Sequence, residues 1–229
     1  MTSELATPPV LQATRSARST ARVAVLVAVL VVVEGTNDIE FLRRISAILH
    51  RDSLDVPDLS QMERDGQLLF LPAGGSDHRL WRSRLAPLQI PEFHLLDRDV
   101  PPLTKEREAA VDAVNSRSGC VAAMTGKRGA ENYIHPQAIF KARGVQLNYG
   151  DQDDVAEMVA RCCYALCGGS RPWRELHSRK RRRMKNQAKG WLNSEAVSHM
   201  TPKLLDQHDP EGEVRSWLEA IGWLANSQS

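Results

Sequence analysis

Three short polar segments, each directly behind an apolar run, carry residue types suited to metal-assisted chemistry. The first is Glu34-Gly35-Thr36-Asn37-Asp38, the second is Asp97-Arg98-Asp99, and the third holds Lys127 and Glu131. Carboxylates brought together in this number repel one another, which raises some of their pKa values unless cations neutralise them. Such hard oxygen donors suit Mg²⁺ or Mn²⁺, and no His/Cys cluster in the sequence competes for zinc. One or two such ions can activate water, hold a phosphate oxygen and stabilise a leaving oxyanion, and Lys127 can add positive charge to the transition state. Taken singly, each segment is ordinary, because an Asp-x-Asp pair often ends a loop and a charge often ends a strand. Three of them in order on successive strand ends form a pattern.

The surrounding elements decide whether the segments meet. Residues 23–33, rich in Val and Leu and closed by Glu34-Gly35, read as a strand buried on both faces of a parallel sheet. Apolar residues at 41, 42, 45, 48 and 49 then repeat at helical spacing. Residues 67–71 predict a second strand, after which Ser76 or Asp77 caps a helix that Pro87 ends. Residues 91–96 predict a third strand, followed by a helix capped by Thr104; residues 120–124 predict a fourth, with a helix from near Pro136. The alternation over 22–150 predicts an α/β domain with a mostly parallel four-stranded sheet flanked by helices. Its carboxyl edge, where open α/β sheets bind ligands, receives all three polar segments. Residues 1–21 read as a loose tail, and residues 151–229 as a helical C-terminal appendage with helices over 155–167, 173–189 and 214–224.

Charged content of 25% and hydrophobic content of 42% are ordinary for a water-facing globular chain, and the net charge of +2 says little as a sum. Its distribution says more: Arg179, Lys180, Arg181, Arg182, Arg183 and Lys185 form a stripe that can neutralise several phosphates. A solvated helix face is the plainer reading of that stripe, and the two are evenly matched. Trp173 and Trp191 flank it and read as packing residues. Cys120, Cys162, Cys163 and Cys167 lack metal-ligand spacing and read as buried reduced thiols of a cytoplasmic protein. The apolar run at 23–33 is too short for a bilayer-spanning helix, so no membrane role is expected.

Together, Val33-Glu34-Gly35-Thr36-Asn37-Asp38, Leu96-Asp97-Arg98-Asp99 and Lys127-Arg128-Gly129-Ala130-Glu131-Asn132-Tyr133 resemble the Toprim domain. The version most resembled is that of the overcoming-lysogenization-defect (OLD) family of nucleases. The resemblance spans roughly 23–145 and is most specific at Glu131-Asn132-Tyr133. It implies Glu34, Asp38, Asp97 and Asp99 as ligands of Mg²⁺ or Mn²⁺, Lys127 as transition-state stabiliser, and Glu131 as a further ligand or base. It implies a metal-dependent endonuclease acting on DNA or RNA. The chain lacks the G-x-x-x-x-G-K-[ST] of the ATPase fused to that family, so ATP gating would come from a separate ATPase partner or not exist.

Two other readings stand beside it. Asp97-Arg98-Asp99-Val100 also fits the haloacid-dehalogenase phosphatase motif, with Asp97 as nucleophile, Asp99 as general acid, and Lys127 and Asp153-Asp154 completing the site. Two βα units precede it, however, where that motif normally opens the domain. The other reading is a nucleic-acid-binding module without catalysis. His94 and His135 are assigned structural roles, Tyr133 a packing role, and homo-oligomerisation is left open.

Overall fold

Alternation along one short strand divides the core into two. The computed structural model describes residues 27–74, 81 and 84–227; the tail at 1–21 and the start of the expected first strand lie outside them. Within β1 (Val29–Val33) every residue is buried. Val29, Val31 and Val33 point into the larger core with Phe41, Phe93 and Leu95, whereas Leu30 and Val32 point to the opposite face with Ala73 and Leu85. β1 lies between β2 (Leu68–Pro72) and β3 (Glu92–Leu96), and β4 (Cys120–Met124) pairs with β3. All pairings are parallel, in the order β2-β1-β3-β4. The sheet is the four-stranded, helix-flanked parallel α/β sheet expected from the sequence.

This order fixes where chemistry can happen. The chain leaves β1 for β2 on one side and returns to β3 on the other, so the topological switch point falls between β1 and β3. Ligands of open α/β sheets lodge beyond the carboxyl ends of the strands at such a point. Glu34 and Asp97 are the first residues beyond those two strands.

The helices are α1 (Thr36–His50), α2 (Leu59–Arg64), α3 (Leu103–Asn115), α4 (Pro136–Arg143), α5 (Val155–Leu166), α6 (Ser178–Trp191), α7 (Pro202–His208) and α8 (Glu213–Asn226). The C-terminal helices share the larger core with the sheet: Val214, Trp217, Leu218 and Ile221 of α8 are buried beside β1 and β3 residues. Among the described residues no helix is long and apolar enough to cross a membrane.

Several local expectations need correction. Thr104 does not cap α3; Pro102 holds the N-cap position and Thr104 lies in the first turn. A proline's fixed φ already suits helix entry, so the helix starts early. The helix expected over 173–189 is split: Trp173–Glu175 is a 3₁₀ turn, and His177 accepts from the Arg179 N–H at 3.2 Å to cap α6. Cys167 is exposed, and the other three cysteines are half-buried. Of the helix expected after Ser76 or Asp77, Trp81, Arg84 and Leu85 are helical; residues 75–80 lie outside the described residues.

His94 has the structural role expected of it. On β3 it sits 2.8 Å from Glu92 Oε2, with both side chains 1% exposed, and Arg117 closes the pair with 2.5 and 3.0 Å contacts to the same carboxylate. Burial raises the Glu92 carboxyl, but hydrogen bonds from His94 and Arg117 outweigh it and hold the group below its ordinary range. Arg117→Ala leaves this carboxylate buried with His94 as its remaining side-chain partner. The variant is expected to lose about 3 kcal/mol in chemical denaturation at neutral pH. The loss should shrink in acid, where Glu92 in the variant can take a proton.

Candidate functional site

The turn after β1 builds the first part of the site. Gly35 is the N-cap of α1, and its N–H donates to Asp38 Oδ2 at 2.8 Å. This bond turns Asp38 back toward Glu34 and leaves it 7% exposed. Burial pushes the Asp38 carboxyl up to about 7; Glu131 and Glu34 add to the rise, while the Gly35 N–H and Lys189 oppose it. Asp97, beyond β3, is held well above the carboxylate range by burial and then by Asp38, Glu34 and Glu131, again opposed by Lys189. Glu34, Asp38, Asp97 and Glu131 therefore form one electrostatic cluster at the switch point.

Asp99 joins the cluster through an arginine. Its φ of +54° lies in the left-handed region, which Asp tolerates better than most residues. Arg107 Nη2, from α3, stands 3.1 Å from Asp99 Oδ2 and 2.7 Å from Glu34 Oε1, so one nitrogen bridges both carboxylates.

The turn after β4 contributes three consecutive buried side chains that part company. Glu131 faces the cluster, where it accepts from Asn193 Nδ2 at 2.9 Å and lies 3.3 Å from Lys189 Nζ. Asn132 Nδ2 donates to the carbonyls of Gly150, Asp151 and Asp153 at 3.0–3.2 Å, tying down the loop that leads to α5. The Tyr133 hydroxyl donates to Glu213 Oε2 at 2.9 Å, and its ring meets Trp217 edge-on at 5.1 Å. Tyr133 is thus a packing residue that fastens the turn to α8.

Gly129 precedes these residues, and its backbone runs against Asp97: a Cβ there would stand 2.9 Å from Asp97 Oδ2 and 3.1 Å from Cγ. Its φ of −170° is open to any residue, so the constraint is space alone. Gly129→Ala is expected to displace the Asp97 carboxylate, at a cost of about 1–3 kcal/mol in thermal melting. Any activity that needs Asp97 in place should fall by about a hundredfold.

The ammonium of Lys127 is engaged away from the four carboxylates. Its Nζ lies 2.6 Å from Asp151 Oδ1 and 5.5 Å from the Tyr133 ring centroid. The ammonium that faces the carboxylates is Lys189. Burial lowers its pKa, but Glu131, Asp97 and Asp38 together hold it above the ordinary lysine range. Lys189 belongs to a ladder along α6 at i, i+4, i+8: Lys185 pairs with Asp154, while Lys189 and then Asn193 meet Glu131. Asn193 lies in a π turn, Leu192–Ala196, and is 0% exposed. Asp154 also caps α5 through the Glu157 N–H at 3.0 Å and stands 3.3 Å from Arg128.

In the sequence Lys189 belongs to the basic stripe with no assigned part at the carboxylates, Asn193, Arg107 and Arg128 have no assigned role, and Lys185 counts among the phosphate contacts. The spacing of 185, 189 and 193 was the available signal. The outer face of α6 differs. Arg179, Arg182 and Arg183 are exposed and make no side-chain ion pair among the described residues, whereas Lys180 lies 5.3 Å over the Tyr164 ring.

A cleft of about 60 Å³ lies over the cluster, lined by Asp97, Asp99, Arg128, Glu131, Lys185 and Lys189 among others. Among the described residues no three His, Cys, Asp or Glu side chains already converge as a metal-ligand set. The donor chemistry nevertheless fits a divalent cation, since buried carboxylates raised by mutual repulsion gain from a positive charge. Glu34 and Asp99 would turn from Arg107 to join it.

No protein-family model matches the chain, and no curated protein matches it. Among solved structures the chain is similar to the C-terminal region of the OLD protein of Xanthomonas campestris pv. campestris. The structure phased with iodine has a TM-score of 0.49 at 14% identity, covering 88% of this chain and 97% of that one. The structure phased with platinum has a TM-score of 0.47 at 14% identity, covering 88% and 95%.

Proposed function

We propose that the chain is a metal-dependent phosphodiesterase: an endonuclease of the Toprim type acting on DNA, with RNA as the other nucleic-acid substrate. The observation that carries this reading is the burial of Asp97 among Asp38, Glu34 and Glu131 at the switch point, beside the Lys189 ammonium. Glu34, Asp38, Asp97 and Asp99 would hold Mg²⁺ or Mn²⁺. Such an ion supplies Lewis-acid polarisation of a phosphate oxygen and a more acidic bound water. Glu131, which accepts a hydrogen bond from Asn193, would accept a proton, and Lys189 would offset negative charge on the phosphate. Lys127 is the second candidate for that offset and would first have to leave Asp151. The exposed Arg179, Arg182 and Arg183 would hold the backbone. A separate ATPase partner belongs to this proposal through the sequence resemblance, a cytoplasmic setting through the cysteine pattern, and self-association is left open.

The phosphatase reading has less support, because Asp153 and Asp154 are otherwise engaged. Asp153 Oδ2 accepts from the Gly150 N–H at 2.8 Å, and Asp154 caps α5. Supercoiled plasmid with Mg²⁺ or Mn²⁺ separates the possibilities. Metal-dependent nicking, lost in Glu34→Ala and in Asp97→Ala, is the expected result. Hydrolysis of a small phosphate ester without nicking would replace the proposal with the phosphatase. Salt-sensitive plasmid binding that survives both substitutions, without cleavage, would replace it with a binding module.

A further inference from the structure

Helix α6 has three differently furnished sides. At about 3.6 residues per turn, Lys185 and Lys189 share the side toward the cleft, and Arg179, Arg182 and Arg183 follow roughly a quarter turn on. Further round come Met184, Ala188 and Trp191. The arginine side is a groove that also includes Asn186 and Gln187. Gln187 lines a second space too, a cavity of about 460 Å³ bounded by Arg143, Cys163, Met184 and Trp191 among others. The two spaces thus meet at one amide side chain, and neither is lined by an acidic residue. Inside the cavity Arg143 lies 4.7 Å over the Trp191 ring, held by Glu195 at 2.7 Å, so a guanidinium and an indole are already stacked at its wall.

This arrangement fits a polymer that alternates phosphates with flat rings. We infer that a single-stranded nucleic acid crosses the arginine side of α6 and places a base in the Arg143–Trp191 cavity, with Gln187 as hydrogen-bonding partner. Guanidinium and indole planes suit bases of any sequence, because every base has a π face. A helix with its side chains is only about 10–12 Å across, a curve that a single strand can follow and a stiff duplex cannot. The inference rests on the nucleic-acid reading above but not on cleavage, so binding alone tests it.

Fluorescein-labelled oligothymidine and a matched duplex are titrated with the full chain in the presence of a chelator and followed by anisotropy. The single strand is expected to bind more tightly. Substituting Arg182→Ala with Arg183→Ala should weaken it about tenfold and reduce the salt slope by about two. Gln187→Glu, an exposed change that adds a negative charge where the two spaces meet, should weaken it about fivefold. Bound oligonucleotide should also protect Cys163 from alkylation while leaving exposed Cys167 reactive. Wild-type affinity in Gln187→Glu without protection of Cys163 overturns the cavity and leaves the nucleic-acid reading standing. Equal affinity for duplex overturns the strand preference. No binding of either form overturns the nucleic-acid reading together with the inference.

Discussion

Asp97→Asn is expected to abolish the proposed metal-dependent nicking, by at least about a thousandfold, while raising thermal stability near neutral pH. Loss of function paired with gain of stability follows from where the carboxyl sits. Asp97 is surrounded by Asp38, Glu34 and Glu131, with the Lys189 ammonium opposing them, so its negative charge is unfavourable in the folded chain. An amide of the same shape removes that charge and, on the proposed function, the anionic oxygen that would hold the metal ion. The effect has a definite pH dependence. An unfolded aspartate titrates near 3.9, whereas Asp38 is raised to about 7 and Asp97 is also raised. Both therefore contribute stability that is full below about pH 4 and is lost as pH rises through the folded values. The variant should exceed the wild type by about 2 kcal/mol at pH 8, and the excess should fall away only as pH drops below about 4. Taking the difference between the two proteins cancels other titrating groups, such as Glu92 and His208, which shift the opposite way. A variant less stable than wild type at pH 8 would mean that Asp97 is paired rather than repelled, and the cluster would lose its rationale as a cation site.

The parts legible in the sequence are those written in consecutive residues. The β1 run, the turn at Gly35 and the carboxylates beyond β1 and β3 follow from local pattern, because a strand buried on both faces is necessarily apolar and its first polar residue marks its edge. Strand β4 has the bounds that its apolar run predicts. Lys189 was not legible in this way. It lies in a dense basic run, and nothing local distinguishes it from Arg182 or Arg183. What distinguishes it is the packing of α6 beside α5 and against the turn after β4, where Asn193 meets Glu131 across 62 residues of sequence. Lys127 shows the converse. Its place behind a strand suggested chemistry, but Asp151, on a loop with no pattern of its own, holds its ammonium. At Thr104 two local rules competed, and the proline ahead of the helix prevailed over the hydroxyl.

Removal of the ammonium should have the opposite effect to removal of the carboxylate. Lys189→Met keeps most of the aliphatic stem, so what it deletes is the charge 3.3 Å from Glu131 that also opposes Asp38 and Asp97. With the buried carboxylates left uncompensated, the variant is expected to lose about 2–3 kcal/mol at pH 8 in urea unfolding. At pH 5 the loss should be smaller, since Asp38 and Asp97 can take up protons in place of the missing charge. Lys185→Met serves as contrast: Asp154 keeps Arg128 at 3.3 Å and the Glu157 N–H, so that loss should stay near 1 kcal/mol. Mg²⁺ then discriminates between a cation site and a salt-bridge ornament. A divalent ion held by Glu34, Asp38 and Asp97 would supply what Lys189 no longer does, so Mg²⁺ at pH 8 should stabilise Lys189→Met more than the wild type, with ionic strength matched by sodium. Equal stabilisation of both proteins, or none, would separate Lys189 from the cation site and leave its charge serving Glu131 alone.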